Sequence, residues 1–147
     1  MKMKKLRIKV NLDNCIGCRL CEAICSTIQY PIGIINYLKS AIHIQYDQFY
    51  RKDTAIICFQ CEKAYCVDNC TSGALFFERG IVKYNPDCCD GCKKCIEACP
   101  LKAIWFIPET GKIVKCDLCA NYSGPKCIKI CPVNAIALFE KKPNRTD

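Results

Sequence analysis

The chain has 147 residues and a formal charge of +8, and 17 of its residues are Cys, against one His, two Met and one Trp. That length suits one compact domain, or two small ones sharing a core. The thiol count is odd, Lys and Arg interrupt the N-terminus as far as Lys9, and no apolar run approaches the ~20 residues of a membrane span; the composition thus argues against a secreted disulfide scaffold or a spanning protein, and for a reducing, cytoplasmic setting where clustered thiols bind metal.

The first predicted element is a strand, "LRIKVNL", with Leu6, Ile8, Val10 and Leu12 turned inward and Arg7, Lys9 and Asn11 outward. A first cysteine group follows at Cys15, Cys18, Cys21 and Cys25, spaced C-x2-C-x2-C-x3-C. Between its last two cysteines, as in every group, the three intervening residues suit the opening of a short helix. A longer segment then carries the aromatics Tyr30, Tyr37, Tyr46, Phe49 and Tyr50, read as packing or as a partner-docking surface. It includes a strand candidate at 41–46, in which His43 reads as an outward residue rather than a ligand.

The second group is Cys58, Cys61, Cys66 and Cys70, spaced C-x2-C-x4-C-x3-C, followed by a hairpin over 74–84 that turns near Arg79-Gly80. The third, Cys89, Cys92, Cys95 and Cys99, repeats the first spacing and ends on Pro100. A second hairpin covers 103–115, with Pro108 to Gly111 in its turn. The fourth group, Cys116, Cys119, Cys127 and Cys131, is spaced C-x2-C-x7-C-x3-C and ends on Pro132. A strand at 135–139 and a solvated tail, "KKPNRTD", complete the chain.

These are internal repeats. "CVDNCTSGAL", "CIEACPLKAI" and "CIKICPVNAI" align, and "NLDNCIGC" aligns with "NPDCCDGC". In that register Cys89 matches Cys15 and Cys88 matches Asn14, so Cys88 is the spare thiol. Gly17 and Gly91 fall where a loop folded round a metal needs a permissive backbone or close approach to the metal.

Three cysteines on one tight loop, with a fourth beyond a helical turn, is the pattern of cubane [4Fe-4S] ligation, in which the fourth cysteine serves another cluster in two-cluster ferredoxins. Zinc prefers two C-x2-C pairs across a spacer, often with His, and four tight triplets do not read that way. A zinc-based interaction or nucleic-acid module remains the alternative of a different class, supported only by the charge. Sixteen thiolates around four oxidised clusters would sum to about −8, so the basic excess reads as counter-charge rather than a nucleic-acid surface. No paired carboxylates, no Ser/His or Cys/His constellation and no phosphate loop suggest catalysis.

Four groups of four cysteines, the last widened, resemble the four-cluster ferredoxin-type electron-transfer subunits that accompany molybdenum and tungsten enzymes, hydrogenases and carbon monoxide dehydrogenase. "CIGCRLCEAICS" followed by "INYLKSAIHI" looks most like the small subunits of tungsten aldehyde oxidoreductase-type enzymes, and benzoyl-CoA reductase complexes carry similar subunits. The resemblance implies an α+β fold of two pseudo-symmetric ferredoxin-like halves, an outer one from residues 1–50 plus 108–147 and an inner one from 51–107, with short strands and helices around four clusters. It implies the ligand sets Cys15, Cys18, Cys21 and Cys131; Cys58, Cys61, Cys66 and Cys99; Cys89, Cys92, Cys95 and Cys70; and Cys116, Cys119, Cys127 and Cys25. Spacing alone leaves open which groups pair. The implied role is a non-catalytic relay between a larger catalytic subunit and a second redox partner. Ser26 and Thr71 stand where the family often has Pro, and a hydroxyl there is expected near sulfur. The fourth-group spacer "ANYSGPK" is short, and no anchor, twin-arginine signal or tail helix is expected.

Overall fold

Short β-branched stretches punctuated by Gly, Pro and Asn yield strands only in pairs. A computed structural model describes residues 5–29, 34–49 and 52–141; Tyr30, Tyr50 and the tail 142–147 lie outside them. Among the described residues, eight strands form four two-stranded antiparallel ribbons. β1 (Lys5–Val10) pairs with β8 (Ile136–Lys141), β2 (Ile42–Asp47) with β3 (Lys52–Ile57), β4 (Leu75–Glu78) with β5 (Ile81–Tyr84), and β6 (Trp105–Ile107) with β7 (Lys112–Val114).

Both predicted hairpins form. Glu78 faces Ile81 across a two-residue turn in which Arg79 and Gly80 have φ of 51° and 79°, the mirror-image turn that matches strand twist. Ile107 faces Lys112 across the longer turn, closed by Gly111 N–H donating to Ile107 O at 3.0 Å.

Four short helices carry the cysteine groups: α1 (Leu20–Gln29), α2 (Tyr65–Asp68), α3 (Lys94–Ala98) and α4 (Lys126–Ile130). The last three stop before their group's final cysteine. Pro100 and Pro132, one residue further, could not continue a helix. α1 runs on for a turn past Cys25, because Ser26 keeps its N–H and directs its hydroxyl to Ala23 O at 2.8 Å.

The apolar side chains gather into two clusters rather than one. Ile8, Ala41, Ile42, Ile107, Val114, Leu118 and Ile136 centre the first, and Ala64, Leu75, Val82, Ile104 and Ile113 the second. α1 packs on α4 and α2 on α3. The β6–β7 hairpin supplies both clusters, through Ile107 and Val114 on one side and Ile113 on the other. The class is α+β, with short strands, short helices and little apolar core.

One strand departs from its expected alternation. Arg7 is buried, not outward: its guanidinium lies 4.4 Å from the Phe59 ring centroid, and Nη2 is 3.4 Å from Glu62 Oε1. The loop after Cys58 covers the face that alternation had assigned to solvent.

Candidate metal centres

The second residue after each group's leading cysteine has left-handed backbone: Gly17 (φ 65°), Gln60 (51°), Gly91 (74°) and Leu118 (60°). This curl turns the loop back on itself, so that the first three thiols of a group face one space. At Gly17 a Cβ would meet Asp53 Oδ2 at 2.6 Å, and at Gly91 the carbonyl oxygen of Gly111 at 2.7 Å. The close neighbours at both glycines are thus protein atoms, Asp53 and Gly111, where the sequence pattern predicts the metal. Gln60 holds a conformation that disfavours side chains, and its amide supplies the compensation: Nε2 donates to Cys116 O at 2.7 Å while Oε1 accepts Val82 N–H at 2.9 Å.

Four small cavities result, with similar empty volumes of ≈ 320, 370, 350 and 300 Å³, mouths included. Cys15, Cys18 and Cys21 line one together with Cys131. Cys58, Cys61 and Cys66 line a second with Cys99. Cys89, Cys92 and Cys95 line a third with Cys70. Cys116, Cys119 and Cys127 line the fourth with Cys25. Cys88 lines none of these. It ends a short 3-10 turn at the surface, where its sulfur accepts Asn85 Nδ2 at 3.4 Å.

The last cysteine of every group receives a backbone N–H from the first residue of the strand that follows it, or from one or two residues before that strand. Ala41 N–H donates to Cys25 at 3.3 Å, Leu75 to Cys70 at 3.3 Å, Ala103 to Cys99 at 3.4 Å and Ala135 to Cys131 at 3.2 Å. The first group thus ends like the others after all, with Ala41-Ile42 resuming the repeat beyond its inserted segment. The Ser26 hydroxyl does not turn to sulfur; it bonds Ala23 O and accepts Asn36 N–H at 3.2 Å. Hydroxyls beside sulfur are instead those of Ser72, 3.6 Å from Cys70 Sγ, and Ser40, which bonds Cys25, residues the repeat alignment did not single out.

Burial raises the proton affinity of the more enclosed thiols. It pushes the third cysteine of each group upward, Cys21 and Cys127 to about 12 and Cys66 and Cys95 to about 11. At Cys70 and Cys131 burial acts the same way, but the hydrogen bonds to sulfur outweigh it and lower the value. Such buried thiols are poor acids by themselves, and a bound metal would take the place of their protons.

His43 is not outward. Its ring centroid lies 4.3 Å from that of Trp105 with the planes tilted by 53°, Nε2 lies 3.0 Å from Ser40 O, and Nδ1 is 3.6 Å from Oε1 of the fully buried Glu22. It lines none of the four cavities. Among the described residues, no three His, Cys, Asp or Glu side chains converge tightly enough for a single ion, and no helix is long and apolar enough to cross a membrane.

Residues 51–141 match the 4Fe-4S dicluster domain family. The chain is 35% identical over 136 residues to Protein NrfC of Escherichia coli K12, covering 83% of this chain and 59% of that one, so it spans less than two thirds of that relative. It is 35% identical over 141 residues to the putative electron transport protein YsaA of the same organism, covering 90% and 88%. It is 35% identical over 130 residues to the polyferredoxin-like subunit of the aliphatic sulfonate oxidoreductase of Pyrococcus furiosus, covering 87% and 72%. Among solved structures, a chain of the BamBC active-site complex of benzoyl-coenzyme A reductase with benzoyl-CoA aligns with a TM-score of 0.57 at 25% identity, over 92% of this chain and 80% of that one.

Proposed function

The chain belongs to the 4Fe-4S dicluster domain family, and we propose that it is a non-catalytic electron-transfer subunit holding four [4Fe-4S] clusters, one in each four-thiol cavity. The observation that carries this reading is the composition of the cavities. Each combines three thiols from one curled loop with the last thiol of another group. A mononuclear zinc site would draw four sulfurs to ~2.3 Å from one point, whereas here the thiols surround a space and no triad converges on a single ion among the described residues. When bound, such clusters supply one-electron chemistry. The protein's part is to hold them, keep water from their buried ligands and direct N–H groups at the sulfurs.

Electrostatic reach supports an order for the four. Cys21 acts on Cys127, Cys58 on Cys116, and Cys66 on Cys95. The cavity of Cys15, Cys18, Cys21 and Cys131 is then followed by that of Cys25, Cys116, Cys119 and Cys127, next by that of Cys58, Cys61, Cys66 and Cys99, and last by that of Cys70, Cys89, Cys92 and Cys95. A line of this kind suits a wire between two redox sites. The two apolar clusters and the α1–α4 and α2–α3 pairs favour two ferredoxin-like halves, an outer one formed by both ends of the chain and an inner one. The partner we propose is a larger catalytic oxidoreductase subunit, with a tungsten or molybdenum aldehyde oxidoreductase-type enzyme ahead of a hydrogenase or carbon monoxide dehydrogenase. The resemblance and the sulfonate oxidoreductase relative support it.

Metal and sulfide analysis of the anaerobically purified protein tests the reading. About 16 iron and 16 sulfide per chain are expected. About four zinc without sulfide would replace it with a zinc-based interaction module. Identification of the copurifying subunit then tests the partner.

A further inference from the structure

Two cations are buried among the described residues, Arg7 and Lys115. Arg7 has Glu62 beside it. Lys115 is 2% exposed, and the ion pairs among the described residues do not include it. Its Nζ donates to Val82 O and to Cys116 O, both at 2.7 Å. Val82 lines the cavity of Cys58, Cys61, Cys66 and Cys99, and Cys116 lines that of Cys25, Cys119 and Cys127. Gln60 ties the same two residues together from the cysteine loop, through Cys116 O and Val82 N–H. The ammonium is thus clamped in the partition between two thiol cavities.

Burying an ammonium costs several kcal/mol, and two carbonyl dipoles offset only part of that. The remaining compensation has to be negative charge nearby, and on the four-cluster reading the cluster-bound thiolates of the two flanking cavities would supply it. Consistent with this, Lys115 favours the thiolate at both Cys66 and Cys116, against the larger effect of burial.

We infer that Lys115 is a built-in positive charge that raises the reduction potentials of the two inner clusters and leaves the outer two largely unchanged. The inference rests on the four-cluster reading. Each cluster site becomes one unit more negative on taking an electron, from about −2 to −3. A fixed cation across a low-dielectric wall stabilises the reduced form more than the oxidised one. Gln60 and the carbonyls of Val82 and Cys116 hold that charge at a set position between the two sites, so neither cluster is favoured by movement of the side chain. Electrons would then reside preferentially in the middle of the line.

The experiment is an EPR-monitored redox titration of the iron-replete wild type and of Lys115→Met, Lys115→Gln and Lys115→Arg, with iron and sulfide measured on each. Wild-type metal content first tests the four-cluster reading separately. The inference expects two of the four potentials to fall in both neutral variants by at least tenfold in the reduction equilibrium, which is 59 mV for one electron. The arginine variant keeps them near the wild-type values. Unchanged potentials in the neutral variants, or an equal shift of all four clusters, would overturn it. Loss of iron from all three variants, the arginine included, would overturn it in favour of a packing role.

Discussion

Cys88 and Cys89 are chain neighbours with opposite surroundings. Cys88 is exposed at the end of a surface turn, while Cys89 faces the cavity shared with Cys70, Cys92 and Cys95. Cys89→Ser is therefore expected to lower iron from about 16 to about 12 per chain, and Cys88→Ser to leave it unchanged; total iron on the two purified variants checks this, and the reverse pattern would reverse the register. His43 brings a pH dependence of its own. Burial lowers its affinity for a proton below the ordinary value of 6.5, although Glu22 opposes this. The folded chain then binds the proton less tightly than the unfolded one, so the contribution of neutral His43 is complete above pH 6.5 and lost as pH falls through the lowered folded value. Between pH 7.5 and 5.5 the melting temperature of the holoprotein should fall more steeply for wild type than for His43→Gln. Parallel curves would remove the histidine from the acid response. Its position was misread because alternation in a six-residue strand does not say that Trp105 and Glu22 cover its polar side.

At the scale of elements, the inserted segment after Cys25 replaces a proline stop with an extra helical turn. Ser26 makes this possible twice over: it donates its backbone N–H within α1, and its fully buried hydroxyl links Ala23 O to Asn36 N–H. Ser26→Ala removes the acceptor of a partly buried N–H and is expected to cost about 1–2 kcal/mol. Ser26→Pro also removes a helical hydrogen bond and clashes with the preceding turn, for a total of about 3 kcal/mol or more. Denaturant unfolding of the iron-replete variants ranks them; a proline variant as stable as wild type would show that the turn beyond Cys25 is dispensable. Residues 74–75, 103–104 and 135–136 made the repeat visible in the sequence. Ala41-Ile42 belongs to the same set, but 15 residues separate it from Cys25, and only the N–H of Ala41 on that sulfur makes it the counterpart.

For the whole molecule, the described residues form two small apolar clusters and four two-stranded ribbons, and on the proposed reading metal–thiolate bonds supply much of the folding free energy. Anaerobic removal of iron with a strong chelator should abolish the near-UV circular dichroism and open the chain to limited proteolysis. A native-like spectrum in the apoprotein would mean that the apolar clusters suffice alone. The buried thiols point the same way, since Cys21 and Cys127, held to about 12, bury well only while protonated or metal-bound.

Cysteine spacing, turn residues and β-branched runs are local features, and they were enough to read the four thiol groups and both hairpins directly from the chain and to set Cys88 apart from those groups, as the exposed thiol that lines none of the four cavities. Gly17 and Gly91 marked two of the four left-handed curls; Gln60 and Leu118 hid the other two, because side-chain type does not reveal a conformation held by distant partners. Tertiary structure alone decided which remote cysteine shares a cavity with each triplet, that Arg7 turns in beneath the Phe59 loop, and that Lys115 lies between two cavities rather than in water. Each depends on which face another segment covers, through contacts such as the β1–β8 pairing that joins opposite ends of the chain. Local spacing carries no record of that choice.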